Sequence, residues 1–192
     1  MIYQSLNCLA EEINEFFRVK LKINEDKVVL SSIVNQDGTV AIPGENRISL
    51  TLINIEKESA KTSGGLSISS KSYTNTVSSL SINLQILFSV YFSGSNYPEG
   101  LKFLSFILSF LNSKNVFNHS NTPRLPDEIE KLSFEFEPVG LERLNNIWAM
   151  MGAKYMPSLL YKVRMLTFDD STITEYRPAI QGMSQKNGAV TS

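Results

Sequence analysis

Apolar residues recur along most of this chain with one of two periods, and the switches between them mark out its elements. Ile2, Leu6, Leu9, Ile13 and Phe16 share one helical face, with Glu11, Glu12, Glu15 and Arg18 turned to water, which predicts a docking helix at the amino terminus. A β-branched run over 27–34 then meets Asp37-Gly38, a tight-turn pair, before 39–42, so a short hairpin is expected. Residues 47–56 read as a strand with Ile48, Leu50 and Leu52 on one face and Ile53 and Ile55 on the other. Both of its faces should be covered near the centre. The clearest alternation is Leu80, Ile82, Leu84, Ile86, Phe88, Val90 and Phe92. At ~3.3 Å per residue that strand would span roughly 43 Å, which places it through the middle of a sheet.

The second half alternates in the same way. Asn96 with Glu99 three positions later gives a capping-box-like start to a helix over 97–112. That helix is apolar nearly all round: Leu101, Phe103, Leu104, Phe106, Ile107, Leu108, Phe110 and Leu111 leave only Lys102, Ser105 and Ser109 as a polar stripe. It therefore has to be covered on more than one side, by another subunit or by a neighbouring helix of the same chain. Residues 112–126 form a polar connection, and 132–137 a strand with Leu132, Phe134 and Phe136 inward. Leu141, Leu144, Ile147, Trp148 and Met151 then predict an amphipathic helix ended by Gly152 in a left-handed cap and barred from continuing by Pro157. A final strand carries Leu159, Tyr161, Val163 and Met165 on one face and Leu160, Lys162, Arg164 and Leu166 on the other.

Helices and strands do not alternate regularly, and no internal repeat is visible. The order predicts an α+β fold, a single domain of mostly antiparallel or mixed twisted sheet with packed helices. We place the domain at 1–168. Within it, 57–79 is a loop in which 11 of the 21 residues over 59–79 are Ser or Thr, long enough to be either functional or disordered. Residues 169–192 form a tail of low periodicity, a candidate partner-binding arm.

Composition narrows the chemistry. At 192 residues one domain can bury roughly 70% of its unfolded surface. Eighteen Lys and Arg against nineteen Asp and Glu leave no field for nucleic acid. The amino terminus lacks the pattern of a secretory leader, and the apolar run 101–111 is about half the ~20 residues of a membrane span. Cys8 alone excludes an internal disulfide and a multi-cysteine zinc site, and suggests synthesis in a reducing cytoplasm.

Catalysis finds few components. His119 is the sole histidine, in a polar loop far from any glycine elbow around a serine. Asp169-Asp170 is the one conceivable carboxylate cation site, more simply a solvated strand end. Glu135 and Glu137 share one strand face, a recurrence of any exposed strand and not a glycosidase pair. No phosphate-binding GxxxxGK[ST] or GxGxxG occurs, and Gly64-Gly65 is too little to form a cradle. No catalytic, cofactor or metal residue is expected, and the chain reads as a non-enzyme.

Several ordered blocks carry a resemblance: Leu9-Ala10-Glu11-Glu12-Ile13-Asn14, Ser49-Leu50-Thr51-Leu52-Ile53-Asn54-Ile55-Glu56-Lys57-Glu58, residues 83–88, Asn96-Tyr97-Pro98-Glu99-Gly100-Leu101, and above all LNNIWAMMGAKYMPSLLYKVRML over 144–166. In order and spacing they resemble the cap, or tail-terminator, proteins of extracellular contractile injection systems such as the Photorhabdus virulence cassettes and the antifeeding prophage. The likeness covers about residues 1–168 and leaves the Ser/Thr-rich loop unmatched. Some members carry a further carboxy-terminal domain, whose role is not carried over. The resemblance implies a six-fold ring on the end of an inner tube, contacting the last sheath layer and stopping polymerisation. It implies a homo-oligomer with tube and sheath proteins as partners, in a particle that can be extracellular. On that reading Phe103, Phe106, Phe110 and Trp148 support subunit packing, and Tyr176, Arg177 and Ile180 reach a partner. The alternatives are a monomeric binding module of adhesin or carbohydrate-binding type using the Ser/Thr-rich loop, and the terminator of an ordinary phage tail.

Overall fold

The computed structural model describes residues 1–58 and 81–167, so the Ser/Thr-rich loop, Asp169-Asp170 and the tail lie outside the described residues. Helix α1 runs Ile2–Leu21. It precedes β1 (Val28–Leu30), β2 (Arg47–Lys57) and β3 (Ser81–Tyr91). A 3-10 turn at Gly94–Asn96 leads into α2 (Tyr97–Ser113), followed by β4 (Val116–Asn118), β5 (Ile129–Phe136), α3 (Leu141–Met150) and β6 (Ser158–Thr167). The six strands form one sheet in the order β1-β2-β3-β6-β5-β4. Only the β1–β2 pair is parallel, and the other four pairs are antiparallel. The fold is a single α+β domain with a mixed sheet.

Strand β3 sits centrally, as its unbroken alternation requires. Ile82, Leu84, Ile86, Phe88 and Val90 enter the main core with Ile48 and Leu50 of β2, and with Tyr161, Val163 and Met165 of β6. Helices α1 and α2 cover this face. Leu6, Leu9, Ile13 and Phe17 of α1 are fully buried or nearly so, and Phe17 packs on Phe103 of α2 at 5.1 Å while Phe16 packs on Phe110 at 5.0 Å. Gly100 lets α2 approach the sheet: a Cβ there would lie 2.3 Å from Val90 Cγ1. The opposite face holds a smaller cluster in which Ile147 and Trp148 of α3 meet Leu87, Leu160, Ile33 and Ile42. Gly152 at φ 64° ends the α3 turn in the left-handed conformation, its N–H donating to the Ala149 carbonyl at 3.1 Å.

Four local expectations change. The proposed hairpin shrinks to a single Val34–Val40 bridge, closed by Asn35 N–H donating to the Thr39 carbonyl at 2.8 Å. The chain leaves β1 early because Ser31 is captured by β2: its N–H donates to the Leu50 carbonyl at 3.2 Å, and its carbonyl accepts from Thr51 Oγ1 at 2.8 Å. The Asn96 side chain makes no capping bond, and Pro98 in the first turn sets the start of α2 instead. The polar connection after α2 contains β4, whose Phe117 is fully buried against Phe134 at 4.8 Å. Phe136 is 46% exposed at the end of β5, although it still meets Tyr161 edge to face at 5.6 Å.

The two edges of the sheet are unlike. Asn14, buried in α1, accepts from Val28 N–H at 2.9 Å and donates to the Val28 carbonyl at 2.8 Å. One side-chain amide thus answers both outward groups of Val28 as a neighbouring strand's peptide would. Strand β1 covers only Ile48, Ser49 and Leu50 of the eleven-residue β2.

Candidate assembly surfaces

Four of the residues singled out from sequence lie in the described chain and can be placed. Phe103, Phe110 and Trp148 are buried, at 3%, 8% and 4% exposure, and Phe106 is half-buried against the main core. Phe103 and Phe110 therefore fill the space between α2, α1 and the sheet. Trp148 pins α3 to the sheet and meets the exposed Tyr155 edge to face at 5.8 Å. Its Nε1–H is buried without a hydrogen-bond partner among the described residues. Tyr176, Arg177 and Ile180 lie outside the described residues.

The near-complete apolar girth of α2 is met mostly within the chain. What remains on its outer face is Tyr97, Leu101 and Leu108, at 46%, 39% and 39% exposure, alongside Lys102, Ser105, Ser109 and Asn112. Sequence reasoning missed this stripe because the helix is apolar nearly all round, so the exposed Leu101 and Leu108 look no different from the buried positions. The spacing of Leu101, Ser105 and Leu108 at successive turns was the available signal. Helix α3 exposes Leu141 and Met150, at 85% and 68%.

A different kind of surface is the outer edge of β2. Residues Asn54, Ile55, Glu56 and Lys57 are exposed, and no other described strand lies beside them. A β-bulge between Leu52 and Asn54 shifts the β2–β3 register.

Among the described residues the candidate polar groups have separate, structural partners. His119 Nε2 lies 2.8 Å from the Ile129 carbonyl oxygen, which ties the loop to β5. Glu135 approaches Arg164 at 3.9 Å and Glu137 pairs with Arg143 at 2.5 Å, so the two carboxylates have separate partners. Burial, followed by the neighbouring Glu12 and Glu11 charges, pushes the Cys8 thiol up to about 11, the opposite of nucleophile activation. Burial also pushes the Tyr161 hydroxyl up to about 12. Among the described residues no cluster of three metal-ligating side chains occurs, and no helix is long and apolar enough to cross a membrane.

A six-stranded mixed sheet with two helices on one face and a third pinned on the other defines a structural α+β domain whose exposed features are an apolar helix stripe and an open strand edge. The chain belongs to the Pvc16 N-terminal domain family, whose model matches residues 6–182. In fold it is similar to the sheath/tube terminator of the PVC extracellular contractile injection system in its extended state, at 13% identity and TM-score 0.59, covering 100% of this chain and 65% of that one. It is also similar to the tube-terminating cap of the anti-feeding prophage, at 14% identity and TM-score 0.54, covering 92% of this chain and 60% of that one. The chain thus spans less than two thirds of the length of either structure. No curated protein matches it.

Proposed function

We propose that this chain is a structural cap, or terminator, of a contractile injection system. The observation that carries this reading is the family match over nearly the whole domain, joined to a fold shared with two terminating caps. A terminator acts by complementarity alone. One face of a closed ring matches the last layer of the inner tube, and the other offers no surface on which a further tube subunit can add. The reading includes a homo-oligomeric ring, six-fold to match the tube, with tube and sheath proteins as its partners. It calls for no catalytic step, metal or cofactor, and for synthesis in the cytoplasm before release within a particle.

The outer stripe of α2 suits the contact between ring subunits, because Tyr97, Leu101 and Leu108 are apolar, exposed and carried on a helix anchored by Phe103 and Phe110. Tyr176, Arg177 and Ile180 are candidates for contact beyond the domain. The test is electron microscopy of sheathed particles from cells with and without this chain, scoring closed ends and the spread of tube lengths. Irregular or open-ended particles are expected in its absence, and evenly terminated ones would refute the reading. In the same assay Leu101→Asp with Leu108→Asp should weaken incorporation while the monomer stays folded. Unchanged incorporation would remove the α2 stripe from the account.

A further inference from the structure

Among the described residues no strand lies on the outer edge of β2 beyond Leu50. Ile48 N–H donates to the Lys27 carbonyl and Ser31 N–H to the Leu50 carbonyl, so Ile48 and Leu50 turn their main-chain groups away from β3. By alternation Leu52 does the same. The bulge resets the count: Glu58 N–H donates to the Ser81 carbonyl at 3.1 Å, so Asn54, Glu56 and Glu58 face β3 while Ile55 and Lys57 present their N–H and C=O groups outward. Edges are usually blunted by charge at their centre or covered by another element. The bulge and Lys57 blunt this one in part, yet its centre is Ile55, 49% exposed. At β1 the Asn14 amide caps the outward N–H and C=O of Val28. On the far side of the sheet, β4 pairs with Lys131, Leu132 and Ser133 of β5, and the Asn121 side chain answers outward groups of β4, accepting from Asn118 N–H at 3.0 Å and donating to the Val116 carbonyl at 2.9 Å.

The chain contains a segment suited to such an edge. After Asp169-Asp170 comes Ser171-Thr172-Ile173-Thr174-Glu175-Tyr176-Arg177, rich in β-branched and aromatic residues and stopped by Pro178. We propose that this segment of one subunit adds as a strand to the open β2 edge of a neighbouring copy, linking subunits around the proposed ring; the inference rests on the ring reading above. A second copy is favoured over the same chain by reach. From β6, strand addition beyond β2 requires crossing three ladder spacings, about 14 Å at ~4.8 Å each. The four Cα steps from Thr167 to Ser171 span at most about 14 Å when fully extended. That leaves nothing for the reversal of direction that pairing with β2 requires. A neighbour's edge removes this constraint and makes the contact heterologous, the geometry that closes rings.

The test uses the full chain carrying Ile173→Cys with either Ile55→Cys or Lys57→Cys, the pair covering two registers. The native Cys8 is buried and does not compete. Oxidised particles and oxidised purified protein are run on non-reducing gels. A ladder of covalent oligomers in particles is the expected result. A faster-migrating monomer, meaning that the segment pairs with its own edge, would overturn the proposal, as would no cross-link at either position. Chain absent from the particles would instead count against the cap reading, so the two failures are distinguishable. In a second measurement, Ile55→Pro removes one outward donor and leaves the β3 ladder intact. It should preserve the thermal midpoint to within a few degrees and strongly reduce ring incorporation; normal incorporation by a folded Ile55→Pro protein would overturn the proposal.

Discussion

Gly100→Ala is the substitution on which helix propensity and packing disagree most sharply. Ala is favoured over Gly in a helix interior by about 1 kcal/mol, so α2 considered by itself would gain. In the fold the new methyl would sit 2.3 Å from Val90 Cγ1 and 3.1 Å from Phe92 Cγ. Val90 is 3% exposed on the central β3, so it has nowhere to turn, and overpacking of this severity belongs at the upper end of the usual range, about 3 kcal/mol. The net expectation is a loss of about 2 kcal/mol, or a fall of roughly 4–8 °C in thermal midpoint for a domain of this size. Val90→Ala alone should cost about 2 kcal/mol of burial, but it removes the offending Cγ1. In that background the remaining contact is the half-buried Phe92, which can shift, and Gly100→Ala should become neutral or stabilising by up to about 1 kcal/mol. Urea denaturation of the four proteins in the cycle measures the coupling. A stabilised single variant, or the same cost in both backgrounds, would refute the claim that Gly100 sets the distance between α2 and the sheet.

Lys114 joins α2 to α1 through Glu12 at 2.8 Å, donates to the Asn121 carbonyl at 2.9 Å and lies 4.6 Å from the Phe117 ring centroid. Lys114→Ala should cost about 2–3 kcal/mol by stranding a mostly buried carboxylate, with part recovered by adding Glu12→Gln, as chemical denaturation would show. Trp148→Ala should cost about 3–5 kcal/mol. Trp148→Phe should cost distinctly less, because it keeps a large ring in the buried site while shedding, as the Ala variant does, a buried Nε1–H that has no partner among the described residues. Equal losses in urea would contradict that reading. Cys8 and Tyr161 are held neutral in the fold, their values raised from 9.0 to about 11 and from 10.0 to about 12. Their contribution is fully present below the unfolded values and lost as pH rises through the folded ones. Stability measured from pH 8 upward should decline across this window, and Cys8→Ala with Tyr161→Phe should flatten the decline.

The parts of the fold legible in sequence were those governed by local period. The alternation of β3 announced a strand with one face wholly committed to a core, and the Trp148 helix with Gly152 and Pro157 fixed its own end. What sequence could not carry was non-local. Strand β4 is three residues around a single buried Phe117, too short for any period. The parallel β1–β2 pair depends on Asn14 and on the Ser31 hydrogen bonds, which join residues far apart in the chain. On α2 the difference between Phe103 and Leu101, or between Phe110 and Leu108, is which side α1 covers, and a helix apolar all round conceals it. The residues of the tail were legible only as a composition. Their proposed pairing with the β2 edge rests on the register, which shows which main-chain groups of β2 point outward.

The place of β6 has a mechanical consequence. The segment that follows it leaves from Thr167, at the end of a strand flanked on both sides, with nine paired positions on β3 and seven on β5. A pull along that segment loads two ladders at once in shear, so their hydrogen bonds resist together and do not open one by one as at a peeled edge. Any tether made beyond Thr167 therefore has its mechanical root in the strongest direction of the sheet, as the proposed cap would require.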